Sequence, residues 1–402
     1  YLTRLYLRAA RWRQYQAFIC HHKLGAGCLA RLLKLKLTSG QYKVFIDTDD
    51  LVDLDCLLEV VMRSVQHLVI LGTSQICSRP WCVGEMVSAK HASVSTTKVI
   101  MAGYEDPHQD FIQNYESHTD PGVLYERGIK LETIQDALWW VASLRKIVMP
   151  SLLSSKVLGD LCSNIIKQRE AIINFKGDAI PDHARAVICL ECSDREALAT
   201  AYVIVDMLRD LLVDDPSWVP WVMPTAASWQ WSDREALIAI ILLSRKCLQC
   251  KDFLAVLRQS FTSVPSYIPV TVDPNFTFPT EEEIAKADEL LPMSLKESES
   301  GDINIGSVIR RLFKSICVTF QPSAYTSSEG ALRVKAQELR QRLRAPGKWG
   351  TAEGFSSPYH SGVDSLVSSQ TSKAARLDLD DVLPSQPPAP SLFAGPWAKL
   401  EI

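Results

Sequence analysis

Residues 67–85 constrain the fold most, because within this stretch the pattern changes from that of a buried strand to that of a helix. Residues 68–71 form an unbroken apolar run that ends at a glycine, which is typical of a strand buried on both faces of a parallel sheet. Pro80 suits a first helical turn, and Trp81 and Glu85 lie four residues apart, so their side chains share one helix face. The pattern predicts a carboxylate beside an indole at the sheet edge where open α/β folds bind ligands.

Short apolar runs and helical patterns alternate along the N-terminal part of the chain. Residues 15–20, 43–47 and 97–101 are predicted as three further strands, with helices between them. Because strands and helices of these lengths alternate, we predict a doubly wound parallel sheet of the α/β class.

Composition narrows the functional classes. The chain has 402 residues, of which 22% are charged, and a formal net charge of −3, so a general nucleic-acid binder is not expected. Its apolar runs are too short to span a membrane. Eleven cysteines without a disulfide-like framework favour a reducing, cytoplasmic location. For the basic segment at residues 1–14, membrane contact is one interpretation and a solvated helix is the favoured one.

A glycine-containing turn follows the first predicted strand and opens a helix. Free N–H groups and the helix dipole favour a phosphate at residues 25–27, and Lys23 adds a positive charge beside them. The turn matches neither the dinucleotide-binding glycine pattern nor a P-loop. His21 and His22 keep two interpretations, as ligand contacts and as ordinary turn residues.

Three segments, in this order and spacing, resemble the signature boxes of the TIR (Toll/interleukin-1 receptor homology) domain. They are residues 15–20, residues 44–47 with the acidic turn that follows, and residues 78–85. Residues 32–51 are especially similar to the NAD-cleaving branch of that family, represented by the animal axon-degeneration enzyme. The resemblance covers about residues 12–150.

The resemblance implies a flavodoxin-like sheet and cleavage of the bond between nicotinamide and ribose in NAD. Glu85 matches the essential glutamate of the enzymatic members. His22 and Lys23 match the residues that approach NAD, although the animal enzyme has arginines at both positions.

The acidic turn and one helix residue complete the predicted substrate-binding set. Asp47 and Asp50 belong to the turn, and Trp81 is expected to exclude water or to pack its helix. The turn departs from the family pattern at Val52 and Asp53, which bears on affinity and loop closure and leaves the predicted fold unchanged.

One carboxylate is enough for this reaction. Nicotinamide leaves as a neutral base from a cationic glycoside, so no general acid is required, and the carboxylate stabilises the oxocarbenium charge on the ribose. NAD is then a substrate, and neither a cofactor nor a metal is expected. The alternative is a non-enzymatic scaffold, because many TIR domains act only by assembling with other TIR domains. Self-association is expected under both interpretations.

A second segment repeats the first in weaker form. Apolar runs between residues 186 and 272 echo the strands of the first segment, but no glutamate replaces Glu85. We therefore predict a TIR domain at residues 12–165 and a degenerate TIR-like domain at residues 184–320. A low-complexity, mostly disordered tail that contains a basic helical patch is predicted at residues 321–402.

Two Cys-x-x-Cys pairs in the second segment have two interpretations, and one of them is a zinc site. Cys189 with Cys192 and Cys247 with Cys250 follow strands that are predicted neighbours, so four thiolates could meet at one sheet edge. Cysteines occupy matching places in the first segment, which favours buried small residues instead.

Overall fold

The computed structural model describes residues 13–51, 53–178, 184–223, 236–291, 304–324 and 327–345. Three sequence expectations therefore lie partly or largely outside the described residues. They are the basic segment at residues 1–14, the departure at residues 52 and 53, of which residue 52 is not described, and the tail at residues 321–402, of which residues 321–324 and 327–345 are described. Every helix within the described ranges is too short or too polar to traverse a membrane.

The first half of the chain forms a six-stranded, fully parallel sheet in the order β2-β1-β3-β4-β5-β6. Residues 68–71 lie inside β3 and are fully buried, as the apolar run predicts. The strands are β1 (Tyr15–Cys20), β2 (Val44–Phe45), β3 (Val65–Gly72), β4 (Ser95–Ile100), β5 (Lys146–Val148) and β6 (Ala171–Ile172).

Helices cover both faces of this sheet. The longest is α1, which follows β1, and α4 follows β3 with Pro80 as its first residue. The helices are α1 (Lys23–Ser39), α2 (Asp47–Asp50), α3 (Leu57–Ser64), α4 (Pro80–His91), α5 (Gln109–Gln113), α6 (Tyr115–His118), α7 (Gly122–Tyr125), α8 (Leu131–Ser143) and α9 (Ser155–Lys167).

The second half forms a five-stranded parallel sheet in the order β11-β10-β9-β7-β8. Its strands are β7 (Ala186–Cys189), β8 (Trp221–Val222), β9 (Ile238–Leu243), β10 (Ser266–Thr271) and β11 (Val318–Thr319). Its helices are α10 (Arg195–Leu211), α11 (Lys251–Ser263), α12 (Glu281–Leu290), α13 (Ile305–Leu312) and α14 (Glu329–Arg344).

Both sheets contain the strand order 2-1-3-4-5, which is the flavodoxin-like doubly wound arrangement. The predicted α/β class with parallel sheets is therefore confirmed. In the first unit (residues 13–178), β6 extends the sheet beyond residue 165. In the second unit (residues 184–345), α14 contributes buried Leu332 and Leu339 to the core, although its residues lie beyond position 320.

The two units pack through their first long helices, α1 and α10. Buried side chains of both helices, such as Leu29 of α1 and Ile204 of α10, belong to one continuous apolar core. Polar contacts follow the same seam, because Lys36 Nζ lies 2.7 Å from an Asp206 carboxylate oxygen. The hydroxyl group of Tyr202 also donates a hydrogen bond of 3.2 Å to Leu153 O. The helix that follows β1, and with it the candidate site, is thus held by the second unit.

Candidate active site

Glu85 lies in the interior of the first unit, where the end of β1 meets α4. Its side chain is buried, at 4% exposure for the residue. Cys82 precedes it by one helical turn on α4, and Cys20 is the last residue of β1. The sulfur atoms of both cysteines and a Glu85 carboxylate oxygen all lie within 4.8 Å of one another. The second oxygen, Oε2, has no hydrogen-bond partner among the described residues.

Burial raises the pKa of Glu85 well above its usual value, and the neighbouring Cys82 and Asp47 raise it further. The hydrogen bond with Cys20 and the charge of Lys23 act in the opposite direction and do not outweigh burial. Burial without a bound cation is therefore the main factor that opposes ionisation of this carboxyl group.

The two thiols beside Glu85 were not identified as site residues from the sequence. Burial raises the pKa of Cys20 well above the usual thiol value. Cys82 Sγ lies 3.3 Å from His21 O, and Cys20 Sγ lies 3.8 Å from Cys82 O, so each thiol faces a backbone carbonyl. The signal that could have found Cys82 is its spacing of three residues from Glu85, which places both on one helix face.

A cluster of charged and imidazole groups follows directly after β1. Lys23 Nζ lies 3.1 Å from an Asp47 carboxylate oxygen, and His21 Nε2 lies 3.9 Å from the other. His21 is buried with its Nδ1 3.1 Å from Ile19 O, and burial lowers its pKa below the usual value. The structure therefore brings Lys23 and Asp47 together, and both charges act on the pKa of Glu85, Asp47 raising it and Lys23 lowering it.

His22 caps the start of α1 with extended backbone and makes no side-chain capping hydrogen bond. Its ring is half-buried, and burial together with the nearby Arg79 lowers the pKa of His22 to about 4. At neutral pH the ring is thus uncharged, and it offers a hydrogen bond and a flat face instead of a positive charge.

Asp50 is occupied by contacts within the protein. Its Oδ2 accepts hydrogen bonds from Ile46 N at 2.9 Å and from Lys34 Nζ at 2.6 Å. The neighbouring Asp49 pairs with the buried Arg31 at 2.8 Å and with Lys34 at 3.2 Å. These contacts fasten the acidic turn to α1, so they hold Asp47 in place and give Asp50 an anchoring role.

Trp81 packs its ring against the guanidinium of Arg127, whose central carbon lies 4.5 Å from the ring centre. Arg127 also donates to Val123 O at 3.0 Å and pairs with Asp55. Of the two predicted roles, packing of the helix is the one these contacts describe, since they join α4 to α7 and to the turn before α3.

The glycine turn at residues 25–27 receives an anion from the protein itself. Ala26 has non-helical backbone angles (φ −155°, ψ 18°), so α1 is kinked and a new run of helix begins at Gly27. Glu196 at the start of α10 accepts a hydrogen bond of 2.7 Å from Cys28 N in that new run. Burial raises the pKa of Glu196 to about 7. The sequence predicted a phosphate here, and the structure shows a carboxylate from the second unit, because a helix start attracts either anion.

The four second-unit cysteines do not gather into a metal site. Within the described ranges, the group at Glu85 is the one set of three close metal-ligating side chains. Cys189 and Cys247 are buried, and Cys192 Sγ lies 3.6 Å from Met223 O. The interpretation as buried small side chains fits Cys189 and Cys247, whereas Cys192 and Cys250 are only partly buried.

Comparison with known proteins adds limited information. No family model matches the chain, and no curated protein matches it. Among solved structures, the chain is similar to the TIR domains of the activated Roq1 resistosome that recognises the pathogen effector XopQ, with 14% identity, 38% of this chain and 99% of that chain covered, and a TM-score of 0.29.

Two other solved structures are similar over more of the chain. Tagatose-6-phosphate ketose/aldose isomerase from Escherichia coli has 11% identity, covers 84% of this chain and 87% of its own, and has a TM-score of 0.22. The glycotransferase of kitacinnamycin has 10% identity, covers 82% of this chain and 94% of its own, and has a TM-score of 0.23. At these TM-scores none of the three similarities carries an argument about function.

Proposed function

We propose that this chain is a TIR-type NAD nucleosidase, in which Glu85 stabilises the ribosyl cation as nicotinamide leaves. The observation that carries the proposal is the Glu85 carboxyl group, buried without an ion-pair partner among the described residues, at the sheet edge where β1 ends. A carboxylate in such a low-dielectric place interacts more strongly with developing positive charge than one in water does.

The neighbouring residues suit the rest of the substrate. Lys23 is 39% exposed at its side chain and offers a positive charge for the diphosphate of NAD. The uncharged His22 ring offers a surface and a hydrogen bond beside it. NAD brings a cationic nicotinamide riboside, and this charge would favour the ionised form of Glu85 on binding.

Access to Glu85 requires movement of the groups that cover it. At 4% exposure the carboxyl group cannot touch a ribose in this conformation. The acidic turn, whose Asp47 acts on Glu85, is held by the Lys23–Asp47 pair and by the contacts of Asp50, so substrate phosphates that compete for Lys23 would loosen it.

A second candidate function is a TIR scaffold that acts by assembling with other TIR domains in the cytoplasm. The burial of Glu85 and the raised pKa of its carboxyl group favour this alternative, because they describe a side chain that also suits a core position. In both cases we propose that the second, TIR-like unit serves assembly or regulation.

The test is nicotinamide release from NAD by the purified chain, at concentrations that include those where it self-associates. Glu85→Gln keeps the shape of the side chain and removes the charge, so release should fall by about a hundredfold or more. Glu59→Gln is the matched control, since Glu59 is half-exposed on α3 and forms an ion pair with Arg63 one helical turn away. Release should also rise with pH, because the raised pKa of Glu85 means that more of it ionises in that direction. Equal background release by wild type and Glu85→Gln would exclude the enzyme and leave the scaffold.

A further inference from the structure

We propose that Cys20, Cys82 and Glu85 form a binding site for one zinc ion, and that the bound ion withholds Glu85 from substrate. The binding site stands on geometry alone. The regulatory half rests on the proposed NAD cleavage.

The three side chains converge from two well-fixed elements. Cys20 is the last residue of β1 and pairs with Ile70 of β3, which lies between β1 and β4 in the sheet. Cys82 and Glu85 are three residues apart on α4, so they project from one helix face toward Cys20. Their ligand atoms lie within 4.8 Å of one another. Tetrahedral zinc with bonds of about 2.3 Å to sulfur separates its ligands by about 3.8 Å, so closing the site needs a shift of at most about 1 Å.

The buried carboxyl group supplies an independent indication that a ligand belongs there. Glu85 Oε2 is enclosed and has no hydrogen-bond partner within the described part of the chain. A buried carboxylate oxygen without a partner is costly, and a bound cation would supply that partner. Lys23 Nζ lies 3.1 Å from an Asp47 carboxylate oxygen and so pairs with that residue.

The ligand chemistry selects the metal. Two sulfur ligands exclude magnesium and calcium, which take oxygen ligands. The third ligand, a carboxylate oxygen, favours zinc over copper(I), because copper(I) prefers sites made of sulfur ligands alone. Three protein ligands leave a fourth position for water, as in open zinc sites. Zinc bound by two thiolates and one carboxylate would give the site a net charge of −1, near Lys23, and each thiol that becomes a ligand releases its proton to solvent.

Bound zinc would compete directly with catalysis. A carboxylate that ligates the ion is neither free to rotate toward a ribose nor fully charged, so nicotinamide release should stop while the ion is bound. Removal of the ion with a chelator should restore it.

In the first experiment, the full chain is freed of metal with a chelator, and Zn²⁺ alone is then titrated into it in competition with a chromogenic chelator. In the second, Co²⁺ replaces Zn²⁺, because thiolate ligands give Co²⁺ an intense charge-transfer absorption. We expect one tight site per chain. Cys20→Ser, Cys82→Ser and Glu85→Gln should each weaken Zn²⁺ binding by about a hundredfold or more. Cys56→Ser, at an exposed cysteine, and Cys189→Ser, at a buried one in the second unit, should leave the affinity unchanged.

The choice of variants distinguishes loss of a metal ligand from failure to fold. Glu85→Gln preserves the shape of the side chain, and a melting curve for each variant shows whether it is folded. If Zn²⁺ and Co²⁺ bind wild type, the three ligand variants and the two controls alike, the site is refuted. If the chain binds zinc at this site and never releases nicotinamide, the proposed function fails while the metal site stands. If it releases nicotinamide and Zn²⁺ does not inhibit it, the regulatory half is refuted and the NAD cleavage stands.

Discussion

Glu196 offers the sharpest test of how the two units are joined, through the change Glu196→Gln. The Glu196 carboxyl group accepts a hydrogen bond from Cys28 N across the seam between α1 and α10, and burial raises its pKa from 4.5 to about 7. Its other oxygen, Oε1, has no partner in the described structure. Because the folded protein binds this proton more tightly than the unfolded chain, the contribution of Glu196 to stability is fully present below about pH 4.5 and is lost as pH rises through about 7.

The magnitude follows from the two pKa values. Integrated between about pH 5 and about pH 8, a shift from 4.5 to about 7 removes about 2.5 kcal/mol from the free energy of unfolding. Glutamine keeps an oxygen that can accept from Cys28 N and does not ionise. The free-energy cost of burying the glutamine amide nitrogen is the same at every pH. The pH dependence of the difference in the free energy of unfolding between wild type and Glu196→Gln therefore reports the ionisation of Glu196 alone.

The assay is urea unfolding of wild type and Glu196→Gln at several values from about pH 5 to about pH 8. The variant should gain about 2.5 kcal/mol relative to wild type across that range. Glu282→Gln is the control, because Glu282 is an exposed residue of α12 that pairs with Lys286, and such surface pairs contribute little. A difference between wild type and Glu196→Gln that stays constant with pH would refute the idea that this carboxyl group is buried in the seam.

Two further pairs of substitutions test buried contacts. Gly27→Ala should lower the free energy of unfolding by about 1–3 kcal/mol, because a Cβ at that position would lie 3.0 Å from Ser323 Cβ. Gly159→Ala, at an open position of α9, should raise the free energy of unfolding by about 1 kcal/mol. Urea unfolding measures both changes, and equal effects would contradict the tight packing at Gly27. Lys98→Met should lower the free energy of unfolding by about 1–3 kcal/mol, because the fully buried Lys98 donates a hydrogen bond of 2.9 Å to Val141 O, whereas its ion-pair partner Asp106 is exposed and adds little. Urea unfolding measures the change beside Lys146→Met, at an exposed position, and equal effects of the two substitutions would contradict the role given to this buried hydrogen bond.

The sequence predicted the α/β class and the parallel sheets, whereas β6 and α14 lie beyond the predicted ends of the two domains. Alternating apolar runs and helical patterns predicted parallel strands, because a strand buried on both faces must be apolar along its length, and β3 is such a strand. Pro80 marked the first residue of α4, since a first helical turn tolerates its missing N–H. The same local rules put Glu85 on α4 and Lys23 at the start of α1.

The tertiary structure decided what surrounds those residues. Glu196 reaches Cys28 across 168 positions of sequence, and Cys20 reaches Glu85 across the space between a strand and a helix, so no local pattern reveals either contact. Asp47 and Asp50 are both aspartates of α2, but their contacts differ. Asp47 pairs with Lys23, whereas Asp50 accepts a hydrogen bond from Ile46 N and pairs with Lys34. Periodicity fixes which face of an element a side chain takes, whereas burial, partners and pKa depend on which other element packs against that face.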